Sequence, residues 1–288
     1  MKKILMTIAA VLCCAFVSEV NAQENRNQRV LVGVNQMNYP KKQRKDAGAV
    51  LGAIADALLT GQVTTQKENY ESAVRSAIVK GISQARRVSA IDGQLSAEEI
   101  ANKKSYYVDA TVSNISTTTK NQESPDKKKI YTYYKGLVSV TLHIKNAKTD
   151  EVVASPTFNV SEMDVSWMET ADEALNKAIL RLSNYITTYF NQWFPLYANI
   201  IEGAREKKDK QKEVYIDLGS REGAYKGIHL AVYTIKTIAG KEAKKQIGKL
   251  KIESVEGADI SLCKVQSGGK DIKAAIDEGL TLQVRTTD

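Results

Sequence analysis

The chain is poor in the residues on which chemistry usually depends. It has two histidines in 288 residues. Neither His143 nor His229 has a cysteine or carboxylate at a zinc-ligand spacing, so no metal site and no cofactor are expected. Cysteine is nearly as scarce. Of three, Cys13 and Cys14 fall in the first apolar run and only Cys263 lies beyond it. Once that run is removed no internal disulfide can form. No G-x-S-x-G elbow occurs, and Cys263 stands among strand residues without a histidine close in sequence. It reads as a small buried hydrophobe, not a nucleophile. A membrane-crossing helix wants about 20 apolar residues, and the run from Ile4 to Val17 is shorter. Aromatic residues are not interleaved with arginine as in single-strand-binding modules, so no nucleic-acid partner is expected.

Residues 1–22 read as a signal peptide. Lys2 and Lys3 precede the apolar run, and Val20-Asn21-Ala22 ends on the small residue that a signal peptidase needs, so the mature chain is expected to start at Gln23. A lipid-bearing cysteine wants a small residue before it. Leu12 precedes Cys13 and Cys13 precedes Cys14, which favours plain secretion. The expected location is the periplasm, or peripheral association with the outer membrane. The net charge of +8 is compatible with an anionic envelope surface, although many of the lysines sit in loop-like stretches and equally describe a solvated face.

Apolar patterning divides the rest. Residues 23–195 read as one domain. It opens on the short apolar strand Arg29–Val34 and a polar stretch, "NYPKKQRKD". The small-residue segment "AGAVLGAIADALLTG" at 47–61 follows, in which Gly48 and Gly52 permit close approach in an oligomer or domain interface. Tyr70, Ala73, Val74, Ala77, Ile78 and Ile82 recur at helical spacing within 67–85. A strand at 87–93 comes next, then a helix with Ser96 as N-cap and Glu99 completing a capping box. Val108, Ala110 and Val112 alternate, as do Val138, Val140, Leu142 and Ile144, predicting a half-buried antiparallel pair. "TTTKNQESPDKKK" between them reads as an exposed loop. A hairpin around Lys148–Asp150 and a long helix from Glu169 to Trp193, stopped by Pro195, complete an α/β (α+β) sandwich of helices on a mostly antiparallel mixed sheet. Residues 196–288 start with the charged "GAREKKDKQKE". They continue as short strands and turns, with a short helix at 271–277, and predict a small β-barrel-like domain.

Three glycines crowd the start of that second domain, in "IDLGSREGAYKGIHLAVY". A phosphate-binding loop would place a Lys and a Ser or Thr at the start of a helix. Here Lys226 is followed by Gly227 and the chain continues as a strand. The dinucleotide spacing fails as well, so Gly219 and Gly227 are expected to supply crowded or positive-φ turn positions.

Two groupings are candidate sites. Asp92 and Asp109 could face each other as paired carboxylates, with turn capping as the simpler role for Asp92. Tyr106, Tyr107, Tyr131, Tyr133 and Tyr134 are expected to cluster at neighbouring ends of the strand pair near Lys127, Lys128 and Lys129. Tyrosine beside lysine is a composition of contact surfaces, because the ring buries area while its hydroxyl stays hydrogen-bonded; ordinary sheet packing is the alternative. In "YFNQWFPLY", Phe190, Trp193 and Phe194 with Tyr189 exceed what one helical stripe hides, which points to a domain or oligomer interface.

The second domain's "VYIDLGSREGAYKGIHLAVY", "IGKLKIESVEGADISLCKV" and "GGKDIKAAIDEGL" resemble the C-terminal β module of envelope proteins such as the flagellar assembly protein of the H-ring type. The resemblance implies a structural or adhesive module without an active site. In the first domain, "RVLVGV", "AVRSAIVKGIS", "YYVDATVSNIS", "VSVTLHIKNAKTDEVVASPTF" and "ADEALNKAILRL" resemble the α/β fold of three envelope families. These are the curli secretion pore subunit, the lipoprotein activators of penicillin-binding proteins and the N-terminal domain of the Tol translocation protein. Together these features lead to the expectation of a noncatalytic envelope protein that binds an envelope component or itself. The alternative is a subunit of an outer-membrane secretion or assembly pore.

Overall fold

A computed structural model describes residues 27–39, 67–126, 128–238 and 241–287. Residues 1–22, read above as a signal peptide, lie outside these described residues, as do Gly48, Gly52 and Lys127. The chain divides into two compact units, Val30–Tyr189 and a second that runs from Phe190 and includes residues 27–29.

The first unit is built on a mixed sheet ordered β2-β1-β3-β4-β5, with β6 also pairing β4. Its strands are β1 (Val30–Asn38), β2 (Val88–Asp92), β3 (Ser105–Glu123), β4 (Ile130–Asn146), β5 (Val152–Ala154) and β6 (Thr157–Val160). β2 and β3 flank β1 in parallel, and β4 pairs antiparallel with β3, β5 and β6. A parallel neighbour needs a crossover, and α1 (Lys67–Ser83) and α2 (Ala97–Asn102) lie in the connections between these parallel strands. Ser96 and Glu99 form the expected capping box on α2.

The alternation seen in the sequence sets the two faces. Val108, Ala110, Val112, Val138, Val140, Leu142 and Ile144 are all buried; α3 (Ala171–Trp193) packs against β4 at Gly136, and α1 packs on β1 and β2. The helices themselves touch: a Cβ on Gly81 of α1 would stand 2.7 Å from the Ser183 carbonyl oxygen of α3. The opposite face is polar and half-open, laced by Ser139 to Asn159 at 2.6 Å, Thr141 to Thr157 at 2.9 Å and the Lys145–Asp109 ion pair at 2.8 Å. One dry face and one wet face make a two-layer sandwich.

The second unit is a closed barrel in the order β10-β11-β8-β7-β12-β9. Its strands are β7 (Tyr197–Lys207), β8 (Lys210–Ile216), β9 (His229–Ile238), β10 (Lys241–Val255), β11 (Ser261–Ser267) and β12 (Leu282–Thr286). Val214, Ile216, Leu230, Val232, Leu250, Ile252, Cys263 and Val284 fill it, together with Ile272 and Ala275 from α4 (Gly269–Asp277). Asn27 is sewn to this unit: its side chain donates to the Tyr197 carbonyl at 2.7 Å and accepts from the Tyr197 amide at 2.9 Å.

The charged stretch 203–213 is a strand hairpin, β7 into β8, turning at Lys208, whose φ is 58°. The glycines of the 219–227 loop hold turn positions as expected. Gly227 has a φ of 105°, and a Cβ on Gly219 would lie 2.2 Å from the Ala258 carbonyl.

Candidate functional site

The β3–β4 pair outgrows its sheet. β1 accompanies β3 only as far as Thr111, and β6 accompanies β4 from Thr141 to Val138. From Ser116↔Leu137 to Glu123↔Ile130 the two strands pair with each other, and among the described residues the sole further bridge is Tyr134↔Met168. This free pair is an arm of roughly 25 Å at about 3.3 Å per residue.

"TTTKNQE" therefore belongs to a strand, and the loop expected at 117–129 shrinks to a tip at 124–129. Side chains organise that tip. The Lys129 amide donates to Ser124 Oγ at 3.0 Å, the Lys128 amide donates to Asp126 Oδ1 at 3.2 Å, and the Ser124 hydroxyl donates to the same carboxylate. The Ser124 hydroxyl first, and then the Lys128 amide, hold the Asp126 carboxyl below its ordinary range.

The expected tyrosine cluster is divided by this geometry. In an antiparallel pair the two strand starts lie at opposite ends, and these strands are long. Tyr106 and Tyr107 stand opposite Asn146 and Lys145 at the base, whereas Tyr131, Tyr133 and Tyr134 stand opposite Gln122, Lys120 and Thr119 on the arm. The separation is roughly 50 Å at about 3.3 Å per residue. Tyr106 is buried, and Tyr107 packs over Gly33 with its hydroxyl near the backbone of Leu95, so this half of the set is sheet packing.

Of the other half, Tyr131 is exposed and Tyr133 and Tyr134 are half-buried. Tyr131 shows 48% of its surface and its neighbour Ile130 shows 69%; Lys128 and Lys129 beside them are exposed as well. Tyr131, Tyr133 and Lys135 share one face by strand alternation. That face continues into the segment after β6, where the Lys135 ammonium lies 4.9 Å from the centroid of the Trp167 ring. The same segment braces the arm: Tyr134 and Met168 exchange backbone hydrogen bonds at 2.8 Å, and Lys135 donates to the Glu162 carbonyl at 2.5 Å. Ile130, Trp167 and the 96%-exposed Met163 were missed in the sequence. A lone tryptophan in the polar stretch "SEMDVSWMET" was the available signal.

Asp92 and Asp109 are not a catalytic pair. β1 stands between their strands, and each already has a cation: Arg75 for Asp92 at 2.5 Å, and Lys145 for Asp109 at 2.8 Å. Cys263 is enclosed in the barrel, where burial pushes its thiol up to about 12. Phe190, Trp193 and Phe194 stack on one another, with Trp193 and Phe194 centroids 4.7 Å apart, and Phe190 and Phe194 are buried.

No protein-family profile and no curated protein matches the chain. Among solved structures, a neuraminyllactose-binding hemagglutinin homologue of Helicobacter pylori is 13% identical, with a TM-score of 0.34 over 58% of this chain and 83% of that one. A DUF330 protein of Xanthomonas campestris is 12% identical with a TM-score of 0.32, over 57% of this chain and 81% of its own. A PelC dodecamer of Paraburkholderia phytofirmans is 13% identical with a TM-score of 0.27, over 56% and 89%. Likenesses this distant say nothing about what this chain binds.

Proposed function

We propose that this chain is a noncatalytic, exported cell-envelope protein that acts by binding an envelope component or a second copy of itself, and that the β3–β4 arm is its contact element. The observation that carries the reading is the arm itself. Two strands run on past the sheet that supports them and present Ile130 and Tyr131 to solvent, with the exposed Trp167 of the segment after β6 beside Lys135. Unpaired strand edges are ready templates for another strand, and large aromatic rings give contact area at a small entropic cost. Export rests on the signal-like residues 1–22. The element order of Val30–Tyr189, with parallel β1, β2 and β3, a long hairpin and a closing helix, is compatible with the resemblance to the curli, activator-lipoprotein and Tol families.

The pore alternative gains less from the arm. A membrane-crossing strand pair needs an unbroken apolar band on its lipid side. Here one face carries Lys120, Gln122 and Lys135, and the other carries Asn121 and Glu123.

The test is the native mass, by light scattering, of the protein extracted from cell envelopes in mild detergent. It would be measured for the natural chain and for a Tyr131→Ser, Tyr133→Ser, Trp167→Ser variant. The natural chain should run well above monomer mass, and the variant should fall to monomer while keeping its thermal transition. A monomer in both, released without detergent, would overturn the reading.

A further inference from the structure

The water-facing side of the first unit's sheet continues into the arm. Strand alternation puts His143, Thr141, Ser139, Lys135, Tyr133 and Tyr131 of β4 on that side, and β3 adds Thr118, Lys120 and Gln122 opposite the last three. Over the supported sheet the polar side chains are spent on one another. His143 Nδ1 lies 3.2 Å from Ser155 Oγ, Thr141 is bonded to Thr157 at 2.9 Å and Ser139 to Asn159 at 2.6 Å. On the arm they are not. Among the described residues, the side chains of Lys120, Gln122, Tyr131 and Tyr133 have no hydrogen bond or ion pair within the chain. Lys135 gives one proton to the Glu162 carbonyl and keeps two. The reverse side of the arm differs, since the Thr132 hydroxyl donates to Asn121 Oδ1 at 3.0 Å.

The composition of this face selects its occupant. Tyr131 and Tyr133 share it with Lys120, Gln122 and Lys135, Trp167 lies beside Lys135, and no carboxylate stands among its paired positions. The arm's acids are placed elsewhere: Glu123 is on the reverse side opposite Ile130, and the Asp126 carboxylate is taken up by the Ser124 hydroxyl and the Lys128 amide. The face is therefore positive and complements an anion. Alternation also puts Ile130 on the reverse side from Tyr131, so from Lys135 to the tip the face holds rings and no aliphatic side chain. Protein interfaces and lipid surfaces take up aliphatic and aromatic groups together. Rings alone suit the C–H side of a sugar, whose hydroxyls then reach the amide and ammonium groups at the margin. Tyr131 and Tyr133 stand about 7 Å apart at about 3.3 Å per residue, and Trp167 extends the row past Lys135. Such a row on an open face fits a linear polymer.

We infer that this face binds an acidic, uronate-type polysaccharide. Tyr131, Tyr133 and Trp167 stack on successive sugars, and Lys120 and Lys135 meet their carboxylates. The inference rests on the reading of the arm as the contact element and names what that element contacts.

The test is a calorimetric titration of the full chain at constant ionic strength. The probes are an oligogalacturonate, a neutral dextran oligomer of similar length, polyglutamate as a charged chain without sugar, and vesicles containing phosphatidylglycerol. Saturable binding of the uronate is expected, about tenfold or more tighter than that of the other three. Tyr131→Ser with Tyr133→Ser should weaken it by about tenfold or more while the thermal transition is kept. Lys120→Gln, which leaves both rings in place, should weaken it by about threefold or more and flatten its dependence on salt. Uronate binding that survives these changes, or polyglutamate or vesicles binding as tightly, would overturn the inference. So would the absence of uronate binding by a chain whose native mass still falls when the arm is substituted, an outcome that keeps the arm as a contact element for another partner. A chain that binds no uronate and whose mass is independent of the arm overturns both readings.

Discussion

Gly136 of β4 lies directly against the first turns of α3: a Cβ at this position would stand 2.3 Å from the Ala174 carbonyl oxygen and 2.9 Å from the Ala178 methyl. The obstruction is helix backbone, which cannot rotate away as a side chain could. Gly136→Ala should therefore destabilise the first unit by about 1–3 kcal/mol, the usual cost of overpacking. Because Gly136 sits at the root of the arm, the loss should register in amide exchange of α3 and of the arm together. The measurement is thermal and denaturant unfolding of the variant beside the natural chain.

A second prediction concerns acid. Asp164 accepts hydrogen bonds from Ser161 and from the Tyr185 hydroxyl, and these, the Ser161 hydroxyl first, lower its carboxyl to about 2. The unfolded chain takes up the proton at a pH nearer 4. The stabilisation is therefore present above roughly pH 4 and is lost as pH falls toward about 2. Asp164→Asn should flatten that part of the stability profile and leave the neutral part nearly parallel. Since the group is largely solvent-accessible, the effect should be modest.

The Cys263 thiol, raised to about 12 by burial, should resist a thiol reagent at pH 8 for as long as the barrel stays closed. The reagent reacts with the thiolate, so labelling should appear only with unfolding. Labelling of the native protein at the rate of a free thiol would contradict the enclosed position.

In the barrel unit, neighbouring residues of α4 should behave differently. Ile272 is fully buried, with its δ-methyl against Gly248. Ile272→Ala should cost about 2–5 kcal/mol through lost transfer energy and the cavity left behind. Lys273 bridges Glu206 and Asp277, each at 3.0 Å, on the surface. Lys273→Ala should cost no more than about 1 kcal/mol, and denaturant melts of the two variants give the comparison.

The arm variants should separate binding from folding. Tyr131→Ser and Tyr133→Ser remove rings that extend past the supporting sheet, so each should change stability by less than about 0.5 kcal/mol. A larger loss would mean that these rings are packed within the fold and are not offered to a partner.

How much of this was legible depended on whether a strand had a dry side. Val138, Val140, Leu142 and Ile144 alternate because the helices cover one face of β4, and that alternation was readable. Thr117–Glu123 and residues 203–213 are strands as well, but both of their faces meet water over most of their length. Nothing selects apolar residues at every second position there, so the first stretch reads as a loop and the second only as a charged run. The turn glycines at 219 and 227 were legible because few other residues suit those positions. The tyrosine site was legible in composition but not in place, since the distance between its halves depends on strand length, and the length was hidden in the water-facing half of the hairpin.

The order of strands in the barrel has a consequence for how this protein is made. β7 is the first barrel strand synthesised and β12 the last, yet they are neighbours, with Tyr197 opposite Arg285. Until β12 arrives, β7 and β9 each keep an open edge, and the apolar lining of the barrel has no closed shell around it. Such long-range closure is slow compared with local pairing. A ribosome-bound chain would therefore carry this unit as an unsealed sheet until its final strand is made.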